Sequence, residues 1–155
     1  MGKWSYILLA TLLLPVLATA QLRNHSFKTL DSLNAEEARP TVVFLHTDWC
    51  KVCHRMEATT FANEAVIEQL NSQFHFVSMD AEGKDDITYR GHTFRFRPTG
   101  RNTGVHELAE QLGTIDGQLN YPTLVALNTS NEIVFQYGGL MDAKELLAVL
   151  EALLK

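Results

Sequence analysis

Two cysteines, Cys50 and Cys53, have the spacing in this sequence that is best suited to chemistry. They are the only cysteines of the chain. A thiolate is a strong nucleophile, and two thiols this close in sequence can form and break a disulfide with each other. The loop that such a disulfide closes is too short to restrict the unfolded chain much, so structural stabilisation explains the pair poorly. The spacing therefore indicates redox chemistry.

The elements around the pair are predicted to be a buried strand and a helix. Residues 41–46 form a β-branched and apolar run of the length of a central strand, and residues 50–58 are predicted to be helical, with Asp48 as a candidate N-cap. Free N–H groups and the helix dipole stabilise an anion at a helix N-terminus. We expect Cys50, at the helix tip, to be exposed and to attack first. Cys53, one turn further, should be shielded and should break the mixed disulfide.

Three polar side chains near the pair are candidates for adjusting the pKa of its thiols. Lys51 and His54 add positive charge, which favours the thiolate. Glu57 lies one turn after Cys53 and is a candidate for accepting or delivering a proton.

Cys50-Lys51-Val52-Cys53-His54 also fits the attachment pattern of a c-type haem. That alternative predicts thioether bonds to both cysteines, His54 as one axial ligand, and Met79 or Met141 as the other. A buried strand before Trp49 has no role in a small helical cytochrome, which argues against haem. Structural zinc is favoured still less, because it needs four ligands and the chain has one cysteine pair with scattered histidines.

Tyr121-Pro122-Thr123 is the second notable motif. Pro122 comes just before the apolar run 123–127, which is predicted to be a strand. A cis X–Pro bond usually marks a tight turn, but a trans proline is also allowed at the start of a strand. The tripeptide alone leaves both open.

The remaining pattern predicts an α/β sandwich. Asp31 or Ser32 is expected to cap a helix that runs to about residue 38, and Asn63 and Asp142 are expected to cap two later helices. The less regular part of the chain is 81–120. The other predicted elements are strands at 74–79 and 133–137, a hairpin of 87–90 with 93–97, a loop at 99–104 and a helix at 105–112.

Residues 1–20 have the features of a signal peptide: Lys3, an apolar leucine-rich run, and Ala18-Thr19-Ala20 as a small-residue cleavage site. We expect a domain of residues 21–155 that is exported, periplasmic in a Gram-negative bacterium and otherwise secreted. Membrane contact is expected only if the segment is not cleaved. The net charge of −5 gives no reason to expect nucleic-acid binding.

Residues 30–154 resemble the thioredoxin superfamily. The resemblance lies in the strand before Trp49, the pair Cys50 and Cys53, the Tyr121-Pro122-Thr123 turn and the closing hairpin and helix. The run Cys53-His54-Arg55-Met56-Glu57, followed by Thr60-Phe61 and Val66-Ile67, is similar to exported thioredoxin-like proteins related to the reducing domains of bacterial disulfide-interchange systems. The resemblance implies a three-layer sandwich. Its mixed central sheet is flanked by helices, and an insertion at about 81–120, containing a β-hairpin, precedes a cis-proline.

The resemblance also implies roles for individual residues. Cys50 is the implied nucleophile, Cys53 the second cysteine, and cis-Pro122 faces the disulfide. Trp49 and the backbone of Tyr121 belong to the substrate-binding surface. The implied activity is thiol–disulfide exchange with protein substrates, more as a reductant than an oxidant, with no cofactor beyond a redox partner that resets the pair. A non-catalytic binding module of the same fold is the alternative.

The sequence departs from the thioredoxin pattern in two places. Thioredoxins carry a buried acid six residues before the first cysteine, where this chain has Phe44. Either Glu57, His54 or water must move the proton instead, or proton transfer is less assisted. The insertion holds four arginines. We hypothesise that it recognises a partner, the alternative being a solvated hairpin with scattered charge. The four are Arg90, Arg95, Arg97 and Arg101.

Overall fold

The structure is a computed structural model that describes residues 20–155. The predicted signal peptide, apart from its last residue, lies outside the described residues. In chain order the elements are α1 (Phe27–Glu36), β1 (Thr41–His46), α2 (Lys51–Thr59), α3 (Glu64–Gln73), β2 (His75–Asp80), β3 (Ile87–Tyr89), β4 (His92–Phe94), β5 (Phe96–Pro98), β6 (Gly104–His106), α4 (Glu107–Gly113), β7 (Thr114–Ile115), β8 (Gln118–Leu119), β9 (Thr123–Leu127), β10 (Ile133–Gly138) and α5 (Ala143–Leu153).

A four-stranded mixed sheet forms the middle layer, in the order β10-β9-β1-β2. β1 pairs parallel with β2 and antiparallel with β9, which pairs antiparallel with β10. β1 is thus an inner strand, in agreement with its continuous apolar sequence. Its side chains alternate between the faces of the sheet, so that Val43 and Leu45 join one core while Val42 and Phe44 join the other.

Helices cover both faces, which makes the predicted three-layer α/β sandwich. Buried residues of α1, α4 and the hairpin β3–β4 pack with Val43 and Leu45. Buried residues of α2, α3 and α5 pack with Val42 and Phe44. The insertion therefore lies on one face of the sheet, and the helix that starts beside Cys50 lies on the other.

The first helix begins earlier than the sequence analysis predicts. Its N-cap is Ser26, which forms a capping box with Thr29, rather than Asp31 or Ser32. The earlier start buries the ring of Phe27, which meets the ring of Tyr89 at 5.1 Å between centroids. Tyr89 belongs to the insertion, so no local sequence signal indicates this contact.

The insertion contains more pairing than predicted. β3 and β4 form the expected hairpin, but the predicted strand 93–97 divides after Phe94. A second hairpin then joins β5 to β6, with Phe96 opposite His106, where a loop and the start of a helix were expected. A third, two-residue hairpin joins β7 to β8. Strands this short give almost no periodic signal, which is why the sequence did not reveal them.

The edge of β2 is covered at one end by the residues that precede α1. His25 N–H donates to the Phe76 carbonyl at 2.8 Å, and Ser78 N–H donates to Asn24 Oδ1 at 2.7 Å. Capping this edge limits unwanted strand pairing there. Among residues 20–155, no helix combines the length and the apolar character needed to cross a bilayer.

Candidate functional site: a disulfide at the start of a helix

The cysteines form a disulfide at the N-terminus of α2. Cys50 and Cys53 are joined, with a Cα–Cα distance of 5.2 Å. Cys50 is itself the N-cap of α2, and its Sγ accepts a hydrogen bond from Cys53 N–H at 3.1 Å. The prediction that Asp48 would cap this helix is therefore wrong. The sulfur of Cys50 occupies the position where a helix N-terminus best stabilises negative charge.

The two cysteines differ less in exposure than expected. Cys53 is fully buried and Cys50 is 5% exposed. The order agrees with the expectation, but an openly exposed Cys50 is not observed, because it packs into the apolar core that contains Phe44 and Met56. In the disulfide form only a small part of Cys50 is open to an attacking thiol. Its neighbour Trp49, in contrast, is 64% exposed.

His54 bridges the loop before α2 and the helix itself. One ring nitrogen, Nε2, lies 2.8 Å from the Asp48 carbonyl oxygen, and Nδ1 lies 3.1 Å from Glu57 Oε2. The hydrogen bond to Asp48 and then the bond to Glu57 raise the pKa of His54. His54 and Glu57 are thus engaged with each other, while the Lys51 side chain is exposed on the first turn.

The loop before β9 supplies the second part of the site. The Tyr121–Pro122 peptide bond is cis, and the Pro122 carbonyl accepts a hydrogen bond from Gly139 N–H at 2.8 Å. The Tyr121 ring meets the Trp49 indole edge to face, with centroids 6.0 Å apart. The structure thereby brings Tyr121 and Pro122 to the same end of the sheet as α2.

The hydroxyl group of Tyr121 has a pKa above the ordinary value of a tyrosine. Burial is the main cause that raises its pKa to about 12, with the negative charges of Glu82, Asp80 and Glu110 adding to it. The hydroxyl is therefore neutral at physiological pH and is suited to packing and hydrogen bonding rather than proton transfer.

Glu82 is a site residue that the sequence did not reveal. Its Oε2 accepts a hydrogen bond from Trp49 Nε1 at 3.1 Å. Glu82 follows β2, 33 positions after Trp49, so no local spacing connects the two residues. The only sequence signal was that β1 and β2, if parallel neighbours, would end at the same edge of the sheet.

Phe44, the residue in place of the thioredoxin acid, is completely buried. It packs against Phe61, with ring centroids 4.8 Å apart, and stacks on His46 at 5.5 Å. Phe44 therefore belongs to the same apolar core as the two cysteines and offers no titratable group there.

Two of the four arginines in the insertion form ion pairs within the domain. Arg97 pairs with Glu110, and Arg95 lies 3.5 Å from Asp86. Arg90 and Arg101 are exposed, and within residues 20–155 neither takes part in a salt bridge. The charges of these two arginines are therefore not offset by an ion pair within residues 20–155.

The haem alternative conflicts with the geometry around the motif. Its thioether bonds need both sulfurs, which here are bonded to each other, and both ring nitrogens of His54 have hydrogen-bond partners. Met79 and Met141 are buried in the two different cores. Within the described part of the chain, no group of three or more His, Cys, Asp or Glu residues is arranged to hold a metal ion.

Comparisons with known proteins agree with this architecture. A family model described as a thioredoxin-like domain matches residues 27–154. A search of curated protein sequences gives no match.

Three solved structures illustrate the shared fold. The DsbH oxidoreductase has 19% identity and a TM-score of 0.62, over 90% of both chains. A thioredoxin from Thermus thermophilus has 20% identity and a TM-score of 0.61, over 86% of this chain and 88% of that one. The C-terminal domain of DsbD from Neisseria meningitidis, in its reduced form, has 16% identity and a TM-score of 0.53, over 81% and 90%. At these identities the similarity establishes the fold.

Proposed function

Because this chain belongs to the thioredoxin-like domain family, we propose that it is an exported thiol–disulfide oxidoreductase that reduces disulfides of other proteins. One observation carries the proposal: the pair Cys50–Cys53 forms a disulfide whose first sulfur caps a helix. An inert or purely structural pair needs no such placement, whereas a thiolate nucleophile does.

The exchange follows from the positions of the two sulfurs. In the reduced state, Cys53 N–H and the helix dipole stabilise a thiolate at Cys50. This thiolate attacks one sulfur of a substrate disulfide, forms a mixed disulfide and releases the first substrate thiolate. The Cys53 thiolate then attacks Cys50 Sγ, re-forms the internal disulfide and releases the second substrate thiolate. Two electrons pass to the substrate, and a dithiol partner must supply two electrons to reset the pair.

Loss of the Cys53 proton is the step for which the buried site offers least help. Phe44 has no titratable group, and the Glu57 carboxylate is already bonded to His54. Water, or the His54–Glu57 pair through water, takes the proton. We expect this step to be less assisted than in a thioredoxin with the buried acid.

Trp49, Tyr121 and Pro122 form the proposed docking surface for the substrate chain. The exposed Trp49 indole and the Tyr121 ring lie edge to face at the helix tip. Aromatic side chains provide large contact area with little loss of conformational entropy, which suits them to binding varied protein segments.

The direction of electron flow is the part of the proposal that a redox titration tests. Equilibration with reduced and oxidised glutathione gives the reduction potential of the Cys50–Cys53 pair. A reductant requires a value toward about −270 mV, as in thioredoxin. A value toward about −120 mV, as in strong oxidants, would reverse the proposed direction.

Export depends on residues 1–20 acting as a cleaved signal peptide. Cell fractionation followed by N-terminal sequencing tests this part. We expect a processed chain that starts at Gln21, outside the cytoplasm. An intact Met1 on cytoplasmic protein would contradict it.

Insulin reduction tests the activity itself. The wild-type chain should reduce insulin with dithiothreitol as the electron source, and Cys50→Ser should abolish the acceleration. Cys53→Ser should retain attack but stop at a mixed disulfide. Equal activity of all three proteins would overturn the proposed function.

Arg90 and Arg101, the arginines of the insertion that form no ion pair within residues 20–155, offer a test of partner recognition by the insertion. Cys53→Ser protein, exposed to extracellular proteins of the host, should retain substrates as mixed disulfides. Adding Arg90→Glu and Arg101→Glu should change that set if these exposed arginines contribute to recognition. If the set of retained proteins did not change, the recognition hypothesis would be wrong, and the insulin result would not be affected.

A further inference from the structure

We propose that Glu82 is a positioning residue that holds the Trp49 indole beside the disulfide, and that His106, further along the insertion, fixes Glu82 in place. The proposal rests on the proposed exchange reaction and adds a residue and a structural link to it. It gives the insertion a role in shaping the site for protein substrates.

The Trp49 side chain cannot owe its orientation to burial, since 64% of the residue is exposed. An exposed side chain exchanges rotamers rapidly unless specific contacts hold it. Two such contacts are present: the hydrogen bond from Nε1 to Glu82 Oε2 at 3.1 Å, and the edge-to-face contact with Tyr121. The hydrogen bond is the directional contact, because an N–H donor prefers a nearly linear arrangement with its acceptor.

A tight turn after β2 sets the position of Glu82. Glu82 N–H donates to Asp80 Oδ1 at 2.9 Å, and Gly83 N–H donates to the Asp80 carbonyl at 3.2 Å. The residue before Glu82 is tied to the central strand, because Ala81 N–H donates to the His46 carbonyl at 2.8 Å. The turn therefore moves as part of the same edge of the sheet that leads into the disulfide.

His106, at the end of the second hairpin of the insertion, holds the chain on both sides of Glu82. Its backbone N–H donates to the Ala81 carbonyl at 2.7 Å, and its Nε2 lies 3.2 Å from the Asp85 carbonyl. Nδ1 accepts from Leu108 N–H, which leaves the proton on Nε2 to donate to Asp85. The His106 side chain is completely buried. One residue of the insertion thus fixes the segment that carries Glu82.

This arrangement predicts an effect on docking rather than on sulfur chemistry. A protein disulfide contacts the surface around Cys50 and needs the indole in one place. Glutathione disulfide reaches the sulfur with far less contact. Losing the hydrogen bond should therefore raise KM for a protein substrate and leave the reaction with glutathione disulfide unchanged.

Two substitutions at one position separate placement from charge. Glu82→Ala removes the acceptor, and Glu82→Gln keeps an amide oxygen that accepts from the indole while removing the charge. We expect Glu82→Ala to raise KM for insulin roughly fivefold, the equivalent of one ordinary hydrogen bond, with little change in kcat. Glu82→Gln should stay within about twofold of wild type. Asp80→Ala, which frees the turn, should shift KM in the same direction as Glu82→Ala.

Indole fluorescence gives a second readout that a general loss of stability would not produce. The chain has two tryptophans, so Trp4→Phe leaves Trp49 as the only indole. Its fluorescence anisotropy in the full chain should fall in Glu82→Ala and be retained in Glu82→Gln. Unchanged anisotropy and unchanged KM in Glu82→Ala, with wild type still active, would overturn the positioning role alone. Equal losses on insulin and glutathione disulfide would overturn it too. Failure of the proposed function is a different result: a wild-type chain no more active than Cys50→Ser.

Discussion

The disulfide unit and the insertion belong to one domain but are held together differently. The disulfide unit consists of β1, α2 and the loop before β9. Its strand has six residues and is buried, and only four residues separate the end of this strand from the start of the helix. The insertion, residues 81–120, has strands of two or three residues, which depend on contacts from distant parts of the chain. Tyr89 donates to Asn131 at 2.5 Å, and Arg90 N–H donates to Asp31 at 3.1 Å. The cysteine pair and the strand and helix that position it are thus close together in sequence, whereas the contacts that hold the insertion connect distant parts of the chain.

The same contrast explains what the sequence could predict. The strand before the cysteines and the caps Asn63 and Asp142 were predicted correctly, because each depends on neighbouring residues. The Ser26 cap was missed because its helix starts where Phe27 meets the insertion. Glu82 was missed because its partner lies across the sheet edge. Burial of Cys50 was missed because it depends on the packed core around the oxidised pair.

The comparison predicts that a substitution in the core around the disulfide lowers the free energy of unfolding more than a substitution in the insertion does. Phe44→Ala removes a fully buried ring next to β2 and α2 and should lower the free energy of unfolding by about 3–5 kcal/mol. Phe96→Ala, a partly buried ring of β5, is the matched control and should cost clearly less. Chemical denaturation of the oxidised proteins measures both. Equal losses in the free energy of unfolding would contradict the proposed difference between the two regions.

Gly104→Ala tests whether the insertion can be weakened while the disulfide unit stays intact. An added Cβ would lie 2.2 Å from Phe96 Cζ and 2.6 Å from the Arg97 carbonyl, so the hairpin β5–β6 must open. We expect the free energy of unfolding to fall by about 1–3 kcal/mol and amide hydrogen exchange to become faster around residues 96–106.

Gly100→Ala is the control for this substitution, because its added Cβ meets only the Thr103 side chain, which can turn away. Gly100→Ala should lower the free energy of unfolding less than Gly104→Ala does. If Gly104→Ala instead accelerated amide exchange throughout α2 as well, the insertion and the disulfide unit would form one cooperative body.

The smallest expected effect is the pH dependence contributed by His54. Hydrogen bonds to Asp48 and Glu57 raise its pKa in the folded protein. Its stabilising contribution is therefore complete below about pH 6.5, the pKa of an unfolded histidine, and is lost as pH rises through the higher folded value. The stability difference between wild type and His54→Gln should shrink as the pH rises above about 6.5. A difference that grows with pH would contradict this origin of the shift.

The most direct test of the account is the alkylation rate of Cys50 as a function of pH in the reduced Cys53→Ser protein. Placement at the start of α2 predicts that the rate reaches half its maximum well below pH 8.5, the ordinary pKa of a cysteine thiol. Iodoacetamide then reacts faster with Cys50 than with free cysteine at neutral pH. A pH profile that matches free cysteine would show that the helix end does not activate this sulfur.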